Sequence, residues 1–245
     1  MAVIRFNFRS AALHGSANVS IILPTDLSKD GAPSVYVPGV KYQVLWLMHG
    51  GMGDDQDFIN FSNIVRYAED ARIAVVMPAC PARFYDGAYY ELVSEELPKV
   101  LRVIFPFSDK REDNFVAGLS HGGDCSLKLC LEHPDRYAAG LVMSAAGTTH
   151  SHDPNAVNHV LFDVFGMAEK NLASGRALPH LFFATGSGDR GFPAYRPIID
   201  KLDEMGMPLT RLYEDGDGHS WNFWDHMLRD GLKDFLPLKH EVIFP

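Results

Sequence analysis

The stretch Asn114-Phe115-Val116-Ala117-Gly118-Leu119-Ser120-His121-Gly122 constrains this chain most: a short apolar run delivers a G-x-S-x-G pentapeptide into what reads as a helix. A serine on so sharp a strand-to-helix turn tolerates only small neighbours, because any side chain at 118 or 122 would collide with the adjoining strand or helix. Gly118 and Gly122 meet that need. With 21 glycines in 245 residues, the pentapeptide arises by chance in roughly one chain in ten of this composition. The surroundings have to carry the rest.

Those surroundings alternate between strand and helix patterns. Residues 3–9 and 17–23 alternate as antiparallel strands, and 43–48 is a continuous apolar run of the kind buried on both faces of a sheet. A helix over 57–71 follows, then a strand over 73–77, a helix over 90–105 with Pro98 near its start or at a kink, and the strand 114–118. The second half continues with helix 122–132, strands 140–144 and 180–185, helix 192–205, strand 209–213 and helix 221–235. This order predicts an α/β fold, a mostly parallel doubly wound sheet with helices on both faces. No linker divides the chain, and at 47% hydrophobic it can bury a substantial core, so one domain over residues 1–245 is expected. The polar stretch 148–158 and the residues after it, to 177, read as a cap or lid inserted into that domain.

Charge and composition exclude several functions. There are 22 basic and 31 acidic residues, a net charge of -9, and no Lys or Arg cluster that would track a phosphate backbone, so nucleic acid is not an expected partner. The N-terminus alternates like a strand instead of showing a charged start and an apolar core, and no apolar run reaches membrane-spanning length. A cytoplasmic protein without a membrane partner is expected. Cys80, Cys125 and Cys130 are odd in number and read as buried free thiols.

In open sheets of this kind ligands sit beyond the carboxyl ends of the strands, where Ser120 and three other groups fall. His219, on a glycine-flanked loop after the last strand, can accept the Ser120 proton. Asp189, directly after the penultimate strand, completes the order Ser, Asp, His and would hold the imidazole tautomer. Taken by itself, Asp189 also reads as a turn aspartate beside Gly188. Asp215 and Asp217 compete as the acid, but Asp217 is two residues from His219 and would have to fold back along its own loop. The third group is His49-Gly50-Gly51-Met52-Gly53, whose glycines leave backbone N–H groups open to a developing oxyanion; a plain strand-to-helix turn explains the same glycines. The second oxyanion donor would be the N–H of His121, at the positive end of the helix dipole.

With these residues in place, the chain resembles the esterase branch of the α/β-hydrolases that includes tributyrin esterase, the feruloyl and acetylxylan esterases and, more distantly, S-formylglutathione hydrolase; it is most similar to tributyrin esterase. The resemblance is carried by Ile21-Ile22-Leu23-Pro24, Leu47-Met48-His49-Gly50-Gly51, Glu95-Glu96-Leu97-Pro98, Lys110-Arg111-Glu112-Asp113-Asn114 running into Gly118–Gly122, and Gly218-His219-Ser220-Trp221 with Trp224. It implies the α/β-hydrolase fold and a serine carboxylesterase that works through Ser120, Asp189 and His219. The oxyanion hole would come from the N–H groups of Gly51 and His121. No metal or organic cofactor is implied, and a homo-oligomer is compatible with the family though no residue here specifies one. Relatives often carry Met where this chain has His121; only the backbone donates there, so the hole survives the change. Residues 148–177 match nothing in the family pattern, and in such enzymes that segment shapes the acyl and alcohol pockets.

Met52, Trp221 and Trp224 are the candidate substrate-binding residues, the tryptophans because they closely follow His219. His150, His152, Asp153 and His159 lie close together but lack an i, i+4 pair or Cys-x-x-Cys spacing, so no metal is expected. Asp54, Asp55 and Asp57 read as capping and opening the next helix. Phe58, Phe61, Phe84, Tyr85, Tyr89 and Tyr90 read mainly as core. The expected activity is hydrolysis of small, short-acyl esters through an acyl-enzyme. Thioester hydrolysis of the S-formylglutathione type is the alternative, and an inactive binding protein on the same fold is a more remote one.

Overall fold

The computed structural model describes residues 1–25, 39–81, 85, 87–145, 162–216 and 218–240, and its strands join into one eight-stranded sheet. In chain order they are β1 (Ala2–Ser10), β2 (Gly15–Leu23), β3 (Val44–Met48), β4 (Ala74–Pro78), β5 (Asn114–Leu119), β6 (Ala139–Met143), β7 (His180–Gly186) and β8 (Leu209–Glu214). Their order across the sheet is β1-β2-β4-β3-β5-β6-β7-β8. β2 runs antiparallel to β1 and to β4, and every other pairing is parallel. β3, β4, β5 and β6 are buried along their whole length, whereas β1 alternates. Helices on both faces explain the difference: a strand covered on two sides has no use for polar alternation.

One face is covered by α1 (Asp57–Phe61), α2 (Ile64–Asp70) and α8 (Trp221–Asp230), which bury Phe58, Ile64, Tyr67, Trp224, Met227 and Leu228 against Leu45, Leu47 and Phe115. The other face carries α4 (Leu97–Ile104), α5 (His121–Glu132), α6 (Val164–Ala173) and α7 (Phe192–Glu204), with Leu101, Leu127, Leu131, Val164 and Ile199 in a second apolar layer. This is the expected α/β-hydrolase arrangement, with Ser120 leaving the middle of the sheet between β5 and α5.

Three boundaries differ from the expectation. The helix expected over 57–71 breaks at Ser62 and Asn63: the Ser62 hydroxyl donates to Phe58 O (2.6 Å) and accepts from Ile64 N–H (3.2 Å), while the Asn63 N–H donates to the Asp225 carboxylate (2.6 Å). Side chains that offer the backbone other partners end a helix. The helix expected over 90–105 is α3 (Gly87–Glu91), a π-turn at Leu92–Glu96, and α4 with Pro98 in its first turn. Proline cannot donate to the carbonyl four residues back, and here Ser94 O accepts from Arg136 instead (2.8 Å). The helix expected over 221–235 leaves α geometry after Asp230 and ends in a π-turn at Gly231–Phe235. Of the expected insert, residues 148–161 lie outside the described residues. Its later part contains α6, held to the last turn of α5 by Asn171 Nδ2 donating to Leu131 O (2.8 Å).

Two motifs that carried the resemblance serve the scaffold. Glu96 accepts from the Ala11 N–H (2.7 Å) and the Ser10 hydroxyl (2.5 Å), tying the β1–β2 turn to the helical layer. Asp113, buried at the edge of the sheet opposite Ser120, accepts from the Ser108 hydroxyl (2.7 Å) and Lys239 Nζ (2.8 Å). Asp113→Ala is expected to cost about 2–3 kcal/mol in urea unfolding, because Ser108 and Lys239 lose their acceptor. The kcat of the folded variant is expected to stay near that of the wild type.

Candidate active site

Ser120 sits at φ 53°, ψ -121°, a conformation that side chains other than glycine rarely adopt. Its N–H donates to Met143 O on β6 (2.9 Å) and its carbonyl accepts from the Asp124 N–H (3.1 Å), so both sides of the residue are fastened. A Cβ on Gly118 would run into the Gly122 carbonyl, and one on Gly122 into the carbonyls of Met48 and His49. Both glycines are therefore required by close backbone approach. The turn lifts the Ser120 side chain off the carboxyl end of β5 at the start of α5.

The loop after β3 runs alongside. A Cβ on Gly50 would lie 2.7 Å from Leu119 Cδ1 and 3.5 Å from Ser120 Cβ, so the loop backbone passes close to Ser120. Gly53 N–H donates to Gly50 O (3.2 Å), closing a tight turn with Met52 at φ 66°. The buried His49 side chain holds this turn from behind: Nε2 accepts from the Cys80 N–H (2.9 Å), which leaves Nδ1–H to donate to Gly50 O (2.6 Å). Burial pushes the His49 pKa down, outweighing the Gly50 bond and the carboxylates of Asp57, Asp54 and Asp55, which act the other way. A neutral imidazole with one donor and one acceptor fits both partners.

Asp189 and His219 come together from the loops after β7 and β8. His219 Nδ1 is 3.0 Å from Asp189 Oδ2, and Asp189 Oδ1 accepts from the Gly191 N–H (2.8 Å). Asp189 is only 3% exposed. Burial acts to raise its pKa, but the bonds from His219 and the Gly191 N–H, with the Ser144 hydroxyl nearby, outweigh it and hold the carboxyl below its ordinary range. The two loops touch backbone to backbone: a Cβ on Gly186 would lie 2.6 Å from Gly218 Cα, and Gly188 N–H donates to Gly216 O (2.7 Å). The His219 ring packs edge-on against Trp224, with centroids 5.1 Å apart.

A strained serine on a strand-to-helix turn, a glycine loop against it, and a buried carboxylate bonded to a histidine at one sheet edge are the parts of a hydrolytic site. Residues 10–164 match the Esterase family model, described as "Putative esterase". The chain belongs to this family. The esterase is also similar to an acetyl esterase of Caldicellulosiruptor saccharolyticus, 24% identical over 261 residues, covering 95% of this chain and 97% of the relative. Two solved structures from Staphylococcus aureus are each 25% identical and cover 96% of this chain and 98% of their own. They are the fluorophosphonate-binding serine hydrolase FphF (TM-score 0.82) and the S-formylglutathione hydrolase FrmB (TM-score 0.81).

In this esterase the other expected residues fall as follows. Gly51 lies half-buried on the turn held by His49, and His121 opens α5, its Nδ1 3.7 Å from Asp124 Oδ2. Met52 is 87% exposed beside that turn. Trp221 packs edge-on to Trp224 and Phe58 (5.3 and 5.5 Å) and against Phe61 (5.2 Å). Trp224 is 7% exposed, its Nε1 donates to Ser144 Oγ (3.0 Å), and its ring backs His219. Asp215 is exposed, and Asp217, Phe84, His150, His152, Asp153 and His159 lie outside the described residues. Asp57 opens α1 as expected, but the N-cap is Gln56, and Asp55 instead accepts from the Ser20 hydroxyl of β2 (2.5 Å). All three cysteines are buried and outside any disulfide, as expected. Among the described residues no group of His, Cys, Asp and Glu is arranged to hold a metal, and no helix is long and apolar enough to cross a membrane.

Sequence reasoning missed the His49 imidazole, Ser144 and the Gly186–Gly218 contact. The last had a visible signal, the paired Gly186-Ser187-Gly188 and Gly216-Asp217-Gly218. Gly218→Ala is expected to lower kcat/KM about a hundredfold or more by displacing His219, a cost typical of small misplacements; steady-state kinetics with a matched unfolding curve checks it. Because folded His49 stays neutral below its ordinary value of 6.5, the unfolded chain takes up a proton there first. The stability it contributes is full above that value and is lost as the pH falls towards the folded one. Urea unfolding at about pH 8 and about pH 5 should therefore show a smaller loss in His49→Gln than in the wild type. His133 and His180, also depressed by burial, act equally in both proteins.

Proposed function

We propose that this esterase is a serine carboxylesterase of small, short-acyl esters, with Ser120 as nucleophile, His219 as base and Asp189 as acid. The observation that carries the reading is the 3.0 Å contact of His219 Nδ1 with buried Asp189, at the carboxyl edge of the sheet from which Ser120 also rises. Ser120 Oγ attacks the ester carbonyl as its proton passes to His219 Nε2, and Asp189 stabilises the imidazolium that forms. The N–H groups of Gly51 and His121 stabilise the oxyanion, with His121 also at the positive end of α5. The tetrahedral adduct collapses as His219 protonates the departing alcohol. Water then attacks the acyl-Ser120 ester as its proton passes to His219, and collapse of this second adduct releases the acid while His219 returns the proton to Ser120 Oγ. The reading treats residues 1–245 as one domain, keeps Met52 and Trp221 as substrate-binding residues, and needs no cofactor.

The test is hydrolysis of p-nitrophenyl esters from acetate to decanoate. Activity is expected to peak at short acyl chains and to fall about a thousandfold or more in Ser120→Ala. Near-normal turnover in that variant would overturn the reading. Asp189→Asn should be crippling and Asp217→Asn mild; the opposite ranking would reassign the acid. The likeness to S-formylglutathione hydrolase, at 25% identity, favours a second reading in which the same groups cleave a thioester. A kcat/KM higher for a glutathione thioester than for every oxygen ester would select it.

A further inference from the structure

Ser144 follows β6 at φ 43°, is fully buried, and lies between the two loops that carry Asp189 and His219. Its N–H donates to Ala184 O on β7 (2.8 Å). Its hydroxyl donates to the carbonyl oxygen of Gly218, the residue before His219. Ser144 Oγ in turn accepts from Trp224 Nε1 (3.0 Å), and the Trp224 ring packs edge-on to His219. One hydroxyl thus contacts the chain entering His219 and the ring that supports it, while its backbone is fixed to the strand leading to Asp189. A serine hydroxyl has a single proton, and the Asp189 carboxylate is a second acceptor within its reach.

We propose that Ser144 is a positioning residue for the reaction, joining the loop of the acid to the loop of the base so that Asp189 and His219 keep their geometry through the catalytic cycle. The inference rests on the Ser120, His219 and Asp189 reading above. The orientation of the Gly218 peptide sets where the His219 ring begins, and the Ser144 proton holds that peptide's oxygen. Alanine at 144 would leave the Gly218 oxygen and the Trp224 N–H without this partner, both in buried surroundings where such losses weigh most. It would also remove a donor from the neighbourhood of an anion that must stay ionised while His219 is charged. His219 Nδ1 and Asp189 Oδ2 are 3.0 Å apart, so a disturbance at Ser144 is read out in their shared hydrogen bond.

The experiment compares Ser144→Ala, Ser144→Cys, Ser120→Ala and Asp189→Asn in steady-state hydrolysis of p-nitrophenyl acetate, with proton NMR of the low-field His219 Nδ1–H signal. Ser144→Ala is expected to lower kcat about tenfold or more, as for a lost buried hydrogen bond that leaves its partners unsatisfied, with KM within about twofold and the low-field signal shifted or broadened. Ser144→Cys, of similar shape and a weaker donor, should fall between; it also carries the comparison if the alanine variant does not fold. A wild-type kcat and signal in Ser144→Ala, with Ser120→Ala and Asp189→Asn inactive, overturns this inference and leaves the triad standing. A kcat loss that tracks a lowered unfolding midpoint with the signal unchanged also overturns it, as a packing role only. Full activity in Asp189→Asn would instead overturn the triad reading on which it rests.

Discussion

Ser120 keeps a backbone conformation that costs about 1–3 kcal/mol because main chain closes on it from several sides. Its N–H is taken by Met143 O on the neighbouring strand, its carbonyl begins the α5 ladder, and Gly118 and Gly122 let β3, β5 and α5 approach without side chains between them. The turn is thus a product of the sheet as much as of the pentapeptide. Everything else in the candidate site is placed relative to this point: Gly50 against Ser120, and Ser144 one strand further along.

The same device recurs at the other end of the site. Gly186 and Gly218 bring the loops after β7 and β8 into backbone contact, and Asp189 and His219 bond across that seam. Two buried titratable groups then take opposite states for physical reasons visible in their partners. His49 has one donor and one acceptor to satisfy and stays neutral, holding the Gly50 turn. Asp189 collects donors from several sides, which keep it ionised despite burial. Burial alone would drive both groups towards neutrality; it does so for His49, whereas the donors around Asp189 outweigh it.

Much of the fold was legible because buried parallel strands announce themselves as unbroken apolar runs, and residues 43–48 and 114–118 were of this kind. The helix over 57–71 was misread as continuous because Asp225, which takes the Asn63 N–H, comes from α8 at the far end of the chain. Pro98 was recognised as a disturbance, but the π-turn that absorbs it depends on Arg136 reaching Ser94 O. Trp224 was placed near the site through its spacing from His219, yet its burial depends on Ser144, whose partners no local pattern reveals.

The sequence by itself determined the kinds of chemistry available: a serine between glycines on a strand-to-helix turn, an acid and a histidine after successive strands, and glycines after the β3 strand. These are local patterns, written in residue type and order along a few positions. Only the tertiary structure decided which partners meet. The Asp189–His219 bond, the neutral His49 behind the Gly50 turn and the Ser144 joint all link positions about thirty to eighty residues apart. Such contacts arise because parallel strands bring distant loops to one edge of the sheet.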